Sequence, residues 1–245
     1  MNVSKHSRRV QLTPGYILHH HPYRDTSRIL EVLSREFGRL TVFARGVRGP
    51  KAKLASHLQP FQSLLLSWSG RGESPQLTGA EPAGEAIALP SAALMSGFYL
   101  NELLLKLTTR HDPLPGLFDL YHGTVEALKH GAAIEPALRI FEKRLLEMLG
   151  YGLDLETEAQ TGGNIEPEAH DLFRMARGML RSSPDAPGAV AGRSVISLAR
   201  ESLSDRRELD DARRLLQSAL SHVLEGRELS TRNVARALVR RESRP

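Results

Sequence analysis

The spacing of apolar residues changes at about residue 90. Before that point, short apolar runs alternate with polar positions and are separated by glycine and proline: Tyr16–His21, Leu40–Ala44, Leu58–Trp68 and Gln76–Ala80. Alternation of this kind marks strands with one face buried. The segment Thr26–Phe37 fits two periods, because Ile29, Leu33 and Phe37 have helical spacing while Leu30, Val32 and Ser34 alternate. Its neighbours are short strands, so a strand is expected here too, with Gly38 making a tight turn into the next. Five short strands within about 80 residues suggest a small closed sheet of the OB type. Residues 1–11 are expected to form a flexible tail and residues 12–85 the barrel.

Beyond Pro90 the pattern is helical. Ser91 is placed to cap a helix carrying Leu94, Phe98, Leu103, Leu104 and Leu107. A second helix is expected over about 117–129. The third carries Ile134, Ala137, Leu138, Phe141, Leu145, Met148 and Leu149 on one face, with Gly150 as its stop. Residues 151–166 hold no period and are expected to be a loop. Further helices are expected over about 168–181, over 209–223, and from a cap at Ser230 or Thr231 onward. The fold class is therefore multidomain α+β, an N-terminal OB-fold β-barrel followed by an all-α helical domain over 86–245.

Charge sharpens this division. The 245 residues carry a net charge of +5. Residues 1–80 hold twelve Lys and Arg against four Asp and Glu, whereas the remainder is slightly acidic. Such asymmetry points to one part that meets a polyanion and another that meets something else. No run approaches the roughly 20 apolar residues of a membrane span, and MNVSKHSRRV lacks a signal-peptide core, so a cytoplasmic protein is expected. The absence of cysteine excludes disulfides, thiolate catalysis and Cys-based zinc modules.

Candidate chemistry is concentrated in FGRLTVFARGVRGPKAKLASHLQPFQSLLL, residues 37–66, where Arg39, Arg45, Arg48, Lys51 and Lys53 occur with no carboxylate among them. With Arg24, Arg28, Arg35 and Arg71 they form the expected nucleic-acid-binding set. Loop cations on a barrel can converge on a groove that tracks phosphates; scattered solvated charges are the alternative. Arg232, Arg236 and Arg240, at i, i+4 and i+8, form a possible secondary stripe, with Arg241 and Arg244 beyond it. Tyr16, Tyr23, Phe43 and Trp68 are the candidate stacking aromatics, of which Tyr23 is favoured and Phe43 and Trp68 are expected in the core. In His19-His20-His21 only His19 and His21 share a face, too few ligands for a metal. Phosphate-loop, nucleophile-elbow and zincin motifs are all absent, so neither catalysis nor a cofactor is expected.

An ordered set of fragments carries a resemblance across about residues 12–240: GYIL, DTSRILEVL, FGRLTVFARGVRGPKA, LQPFQSLLL, FYLNELLLKL, LFDLY, PALRIFEKRLLEMLGYG and GRELSTR. In this order and spacing the chain resembles the bacterial RecO recombination mediators. The resemblance implies a DNA-repair protein that binds single- and double-stranded DNA and anneals complementary strands. It also implies engagement of the tail of single-stranded-DNA-binding protein (SSB) and, with RecR, help in loading RecA on SSB-coated gaps. It places the partner-tail pocket at Arg139, where a guanidinium beside an apolar cleft suits an acidic tail ending in a free carboxylate. Many members carry a four-cysteine zinc module just after LGYG. Here the region near 151–200 is a cysteine-free, degenerate version of it, so no metal is carried over. The competing readings are an OB-fold protein-interaction adaptor and an RNA-binding protein without annealing activity.

Overall fold

A computed structural model of the chain describes residues 8–47, 54, 56–70, 72–85, 88–131 and 133–231. It divides into two compact units, residues 1–130 with 231–245, and residues 131–230.

The first unit is built on five strands: β1 (Arg8–Tyr23), β2 (Ser27–Ser34), β3 (Gly38–Ala44), β4 (Leu64–Gly70) and β5 (Gln76–Pro82). They close into a barrel in the order β1-β2-β3-β5-β4, with a parallel contact between β3 and β5 at Phe43 and Gln76. β1 serves two neighbours: its first half pairs with β4 and its second half with β2. Alternation drives closure, because Leu30 and Val32 of β2, Leu40 and Val42 of β3, and Leu64, Leu66 and Trp68 of β4 point into one core with Ile17, Leu58 and Leu77.

Two differences from the sequence expectations have local causes. β1 begins at Arg8, inside the expected tail, because the register shift between Val10 and Thr13 interrupts the alternation. Leu12 there takes a φ of 50° and donates its N–H to the Ser67 hydroxyl at 3.0 Å. β4 starts at Leu64 rather than Leu58. Pro60 cannot donate to a ladder and Phe61 has a φ of 67°, so the chain reaches the sheet only after a turn.

Among the described residues of this unit the strands are followed by two helices, α1 (Ser91–Leu107) and α2 (Leu117–Lys129). Ser91 does not cap α1; the N-cap is Pro90, with no side-chain cap. Leu100, Leu103 and Leu104 are buried, while Leu94 and Phe98 face outward. The helices are bound to the barrel by a buried polar chain: Tyr121 donates to Asn101 at 2.6 Å, and Asn101 donates to the Leu18 carbonyl at 2.8 Å. Tyr16 packs edge-on to Tyr121 and shares a 2.6 Å hydrogen bond with His122.

The second unit contains α3 (Ile134–Met148), the strands β6 (His170–Arg174), β7 (Gly178–Arg181) and β8 (Val190–Ala191), and helices α4 (Gly192–Ala199) and α5 (Arg206–Val223). The helix expected over 168–181 is instead a hairpin, and β8 completes a three-stranded sheet in the order β7-β6-β8. Gly178 with a φ of 80° turns the chain, and Phe173 pairs with Met179 across the hairpin. This part of the chain is thus mainly helical but not purely so. α5 opens with a reciprocal capping box, Asp205 accepting from the Glu208 N–H at 2.8 Å.

Candidate nucleic-acid interface

Strand register determines which barrel side chains share the outer surface. Residues paired across adjacent strands point to the same side. His21 pairs with Ile29, Ile29 with Phe43, and Phe43 lies beside Gln76, giving one row across four strands. His19, Glu31 and Thr41 form the next row on that face, and Tyr23 opposite Ser27 the row before it. The core side chains Leu30, Val32, Leu40 and Val42 occupy the intervening positions.

An aromatic pair lies on this face. The Tyr23 and Phe43 rings meet edge-on with centroids 4.8 Å apart, both half-buried. Phe43, expected in the core, is directed outward by its register with Ile29, a placement that sequence alternation alone left ambiguous. Trp68 is in the core as expected, and Tyr16 is wholly buried, so neither is presented to a base.

The expected cations divide into groups. Arg24 is exposed in the β1–β2 turn, its guanidinium 5.3 Å from the Tyr23 ring centre. Arg28 is half-buried at the start of β2 opposite Ala44, and one of its terminal nitrogens, Nη1, is buried without a hydrogen-bond partner. Arg45 is exposed directly after β3. The pairing of Arg28 with Ala44 and of Tyr23 with Ser27 brings these three to the end of the barrel that carries the aromatic pair.

Arg39 and Arg35 are engaged elsewhere. Arg39 donates to Glu31 at 2.9 Å and to the Thr108 carbonyl at 2.6 Å, fixing the end of α1 to the barrel. Glu31 also accepts from Thr41 at 2.8 Å and from Arg110 at 2.6 Å. Burial alone would raise the Glu31 carboxyl, but the hydrogen bonds from Arg110, Thr41 and Arg39 outweigh it and hold it below the usual glutamate value. Arg35 pairs with Asp119 at 2.8 Å and lies 4.8 Å from the Phe118 ring centre. Arg48, Lys51, Lys53 and Arg71, and the stripe Arg232, Arg236 and Arg240, lie outside the described residues.

In the second unit, Arg139 is on α3 and is only 6% exposed. It donates to the buried Glu142 at 2.6 Å, while its Nε is buried without a partner. No signal in the helical periodicity distinguishes this inward arginine from a surface one. Among the described residues, no three His, Asp or Glu side chains are gathered as for a metal ion, and no helix is long and apolar enough to cross a membrane.

Comparison with known proteins resolves the kinship. Residues 9–85 match the family model for the recombination protein O N terminal domain, and residues 91–233 match that for the C terminal domain. The chain belongs to the RecO family. It is 42% identical over 229 residues to the DNA repair protein RecO of Methylococcus capsulatus, covering 94% of each chain. It is also 42% identical over 245 residues to that of Nitrosococcus oceani, covering 97% of this chain and 100% of the other. With the RecO of Alkalilimnicola ehrlichii it shares 45% over 237 residues, 95% and 93% of the two chains. As a RecO-family member it has the expected recombination and DNA-repair affiliation. The barrel described above occupies the stretch that the N-terminal family model covers.

Proposed function

We propose that this chain is a DNA-binding recombination mediator that holds single- and double-stranded DNA, anneals complementary strands and helps load RecA on SSB-coated gaps. The observation that carries the reading is the outer barrel face, where the Tyr23–Phe43 pair is bordered by Arg24 and Arg45, with Arg28 at the same end of the barrel but on the inward-facing register. An aromatic pair beside cations suits unstacked bases and their phosphates, without reading base edges. Annealing asks for this kind of contact: two polyanions neutralised together, and no bond made or broken. The protein accordingly acts by binding rather than by catalysis, on the DNA of the cytoplasm.

Arg48, Lys51, Lys53 and Arg71, which follow β3 or fall between β4 and β5 in the sequence, are assigned to the same DNA-binding set. Arg232, Arg236 and Arg240 are a second DNA-contacting set. Arg39 and Arg35 serve the surface indirectly, by holding β2, β3 and α2 in place. For the SSB tail the proposed anchor is Arg139. Its Nε has no hydrogen-bond partner but is buried, so a tail carboxylate gains it as a donor only when the side chain swings outward from Glu142. RecR is the partner with which the protein acts, and RecA is served indirectly.

The test is annealing of complementary strands precoated with SSB, beside mobility shifts at low and high salt. The reading expects salt-sensitive binding and accelerated annealing. A chain that binds SSB tail peptide but no DNA at low salt would be an adaptor, and one that prefers RNA strands in competition would be an RNA-binding protein; either result removes the proposal. For the tail anchor, Arg139→Ala is expected to weaken peptide binding in fluorescence anisotropy, and unchanged affinity would sink that assignment.

A further inference from the structure

The two exposed histidines of β1 border the aromatic pair and have no role in the reading so far. The His19 and His21 rings stand 4.3 Å apart, at a tilt of 46°, on the face that carries Tyr23 and Phe43. His21 is in the same cross-strand row as Ile29 and Phe43, and His19 is one row further on, opposite Glu31. We propose that His19 and His21 form a phosphate-contacting subsite of this face that takes up a proton when single-stranded DNA binds. The inference rests on the proposed DNA-binding function and goes beyond it, assigning a subsite and a proton linkage.

The surroundings decide the charge state of the pair. On β1 the neighbours are His20 and Tyr23, on β2 Arg28 and Glu31, and on β3 Thr41; the segment after α1 brings Arg110 to Glu31. Among the described residues Glu31 is the carboxylate that acts on His19, and it is already held by Arg39, Arg110 and Thr41. It therefore gives His19 little support as a cation. Burial lowers the His19 value first, and the neighbouring His21 adds to that, with Glu31 pulling weakly the other way. Burial lowers His20 as well, followed by the Arg28 charge. Two imidazoles at this distance resist double protonation unless an anion lies against them. A DNA phosphate provides that anion. Its approach favours the imidazolium, gives two N–H donors in place of one per ring, and draws a proton from solvent. A metal ion is a poor alternative, since among the described residues no third ligand joins the two imidazoles, which alone fall short of a zinc site.

Binding that takes up a proton tightens as the solution becomes more acidic. The test measures affinity for a fluorescent oligothymidine at about pH 8, 7 and 6 and fixed ionic strength, where an unperturbed histidine titrates. It compares wild type with the double variant His19→Gln, His21→Gln. Wild type is expected to tighten by roughly three- to tenfold per pH unit, the upper limit being one proton per site, and the double variant by less than about half that factor. Calorimetry in two buffers of different ionisation heat counts the proton directly. Both positions are exposed, and thermal melting of the variant verifies that it folds. Equal pH dependence in both proteins overturns the proposal, because the proton then goes elsewhere. PH-independent wild-type binding overturns it too, while leaving the DNA-binding face standing. No binding at any pH removes both.

Discussion

Replacing Glu31 with alanine tests whether Arg39 is structural. Glu31 and Arg39 are buried partners, with side chains only 8% and 11% exposed, and they bond at 2.9 Å. Breaking a buried pair by removing one member costs about 3–5 kcal/mol, because the other charge stays buried and uncompensated. Arg110 contributes less, since its side chain is 54% exposed and water screens it. The lower end, about 3 kcal/mol, is therefore expected for Glu31→Ala, a fall of roughly 10 °C in the melting midpoint of a unit this size. A double-mutant cycle with Arg39→Met isolates the pair, and a coupling of about 2 kcal/mol is expected from denaturant titrations. The depressed Glu31 value adds a pH signature. Its contribution is present above the unfolded glutamate value of about 4.3 and is lost as pH falls through the lower folded value. Acid should therefore erode wild-type stability more steeply than that of Glu31→Ala. At a temperature where both fold, Arg39→Met should bind single strands within about twofold of wild type, far less than the loss expected when a phosphate contact is removed. A coupling below about 0.5 kcal/mol, or a large affinity loss without a stability loss, would refute the reasoning and return Arg39 to the binding surface.

Three further outcomes are expected. Arg45→Ala should weaken single-strand binding and flatten the dependence of log affinity on log salt by about 0.7, one phosphate contact, which salt-series anisotropy measures; an unchanged slope would show that Arg45 touches no phosphate. Gly38→Ala should cost about 3 kcal/mol by chemical denaturation, combining a left-handed backbone with overpacking, because Gly38 has a φ of 64° and an added Cβ would lie 2.8 Å from the Asp112 carbonyl oxygen and the Pro113 Cα; a loss under about 1 kcal/mol would mean that the 112–113 backbone gives way easily. Asp205→Ala should destabilise the second unit by about 1 kcal/mol through loss of the α5 cap, seen as faster amide exchange in the first turn of α5 but not in the barrel, and uniform exchange would contradict it.

Much of the barrel is legible because its strands obey one rule, apolar side chains inward at alternate positions, as Leu30 and Val32 or Leu40 and Val42 do. Where a second rule intrudes, the pattern becomes ambiguous. The bulge near Leu12 hides the first half of β1, and the hairpin at 170–181 reads as helix because Asp171 occupies one of its buried positions. That carboxyl is pushed up by burial, with Arg181 3.4 Å away as a partial counter-charge, so a charged letter stands where the alternation should show an apolar one. The candidate surface was half legible. Cations can be counted in a sequence, but whether a given arginine faces solvent or an interior carboxylate is set by cross-strand register, which put Arg39 against Glu31 and left Arg45 outside. Phe43 departs from its expected core position for the same reason, since its outward aim depends on being opposite Ile29.

The chain path has one more implication. The barrel unit takes in Thr231, whose N–H and hydroxyl both donate to Glu102 of α1, at 2.9 and 2.7 Å, after about 100 residues spent in the other unit. During synthesis the ribosome must therefore make all of the second unit before this last tie can form. At about 5–20 residues per second that is a wait of roughly 5–20 s, during which the nascent barrel must hold together on its other bonds.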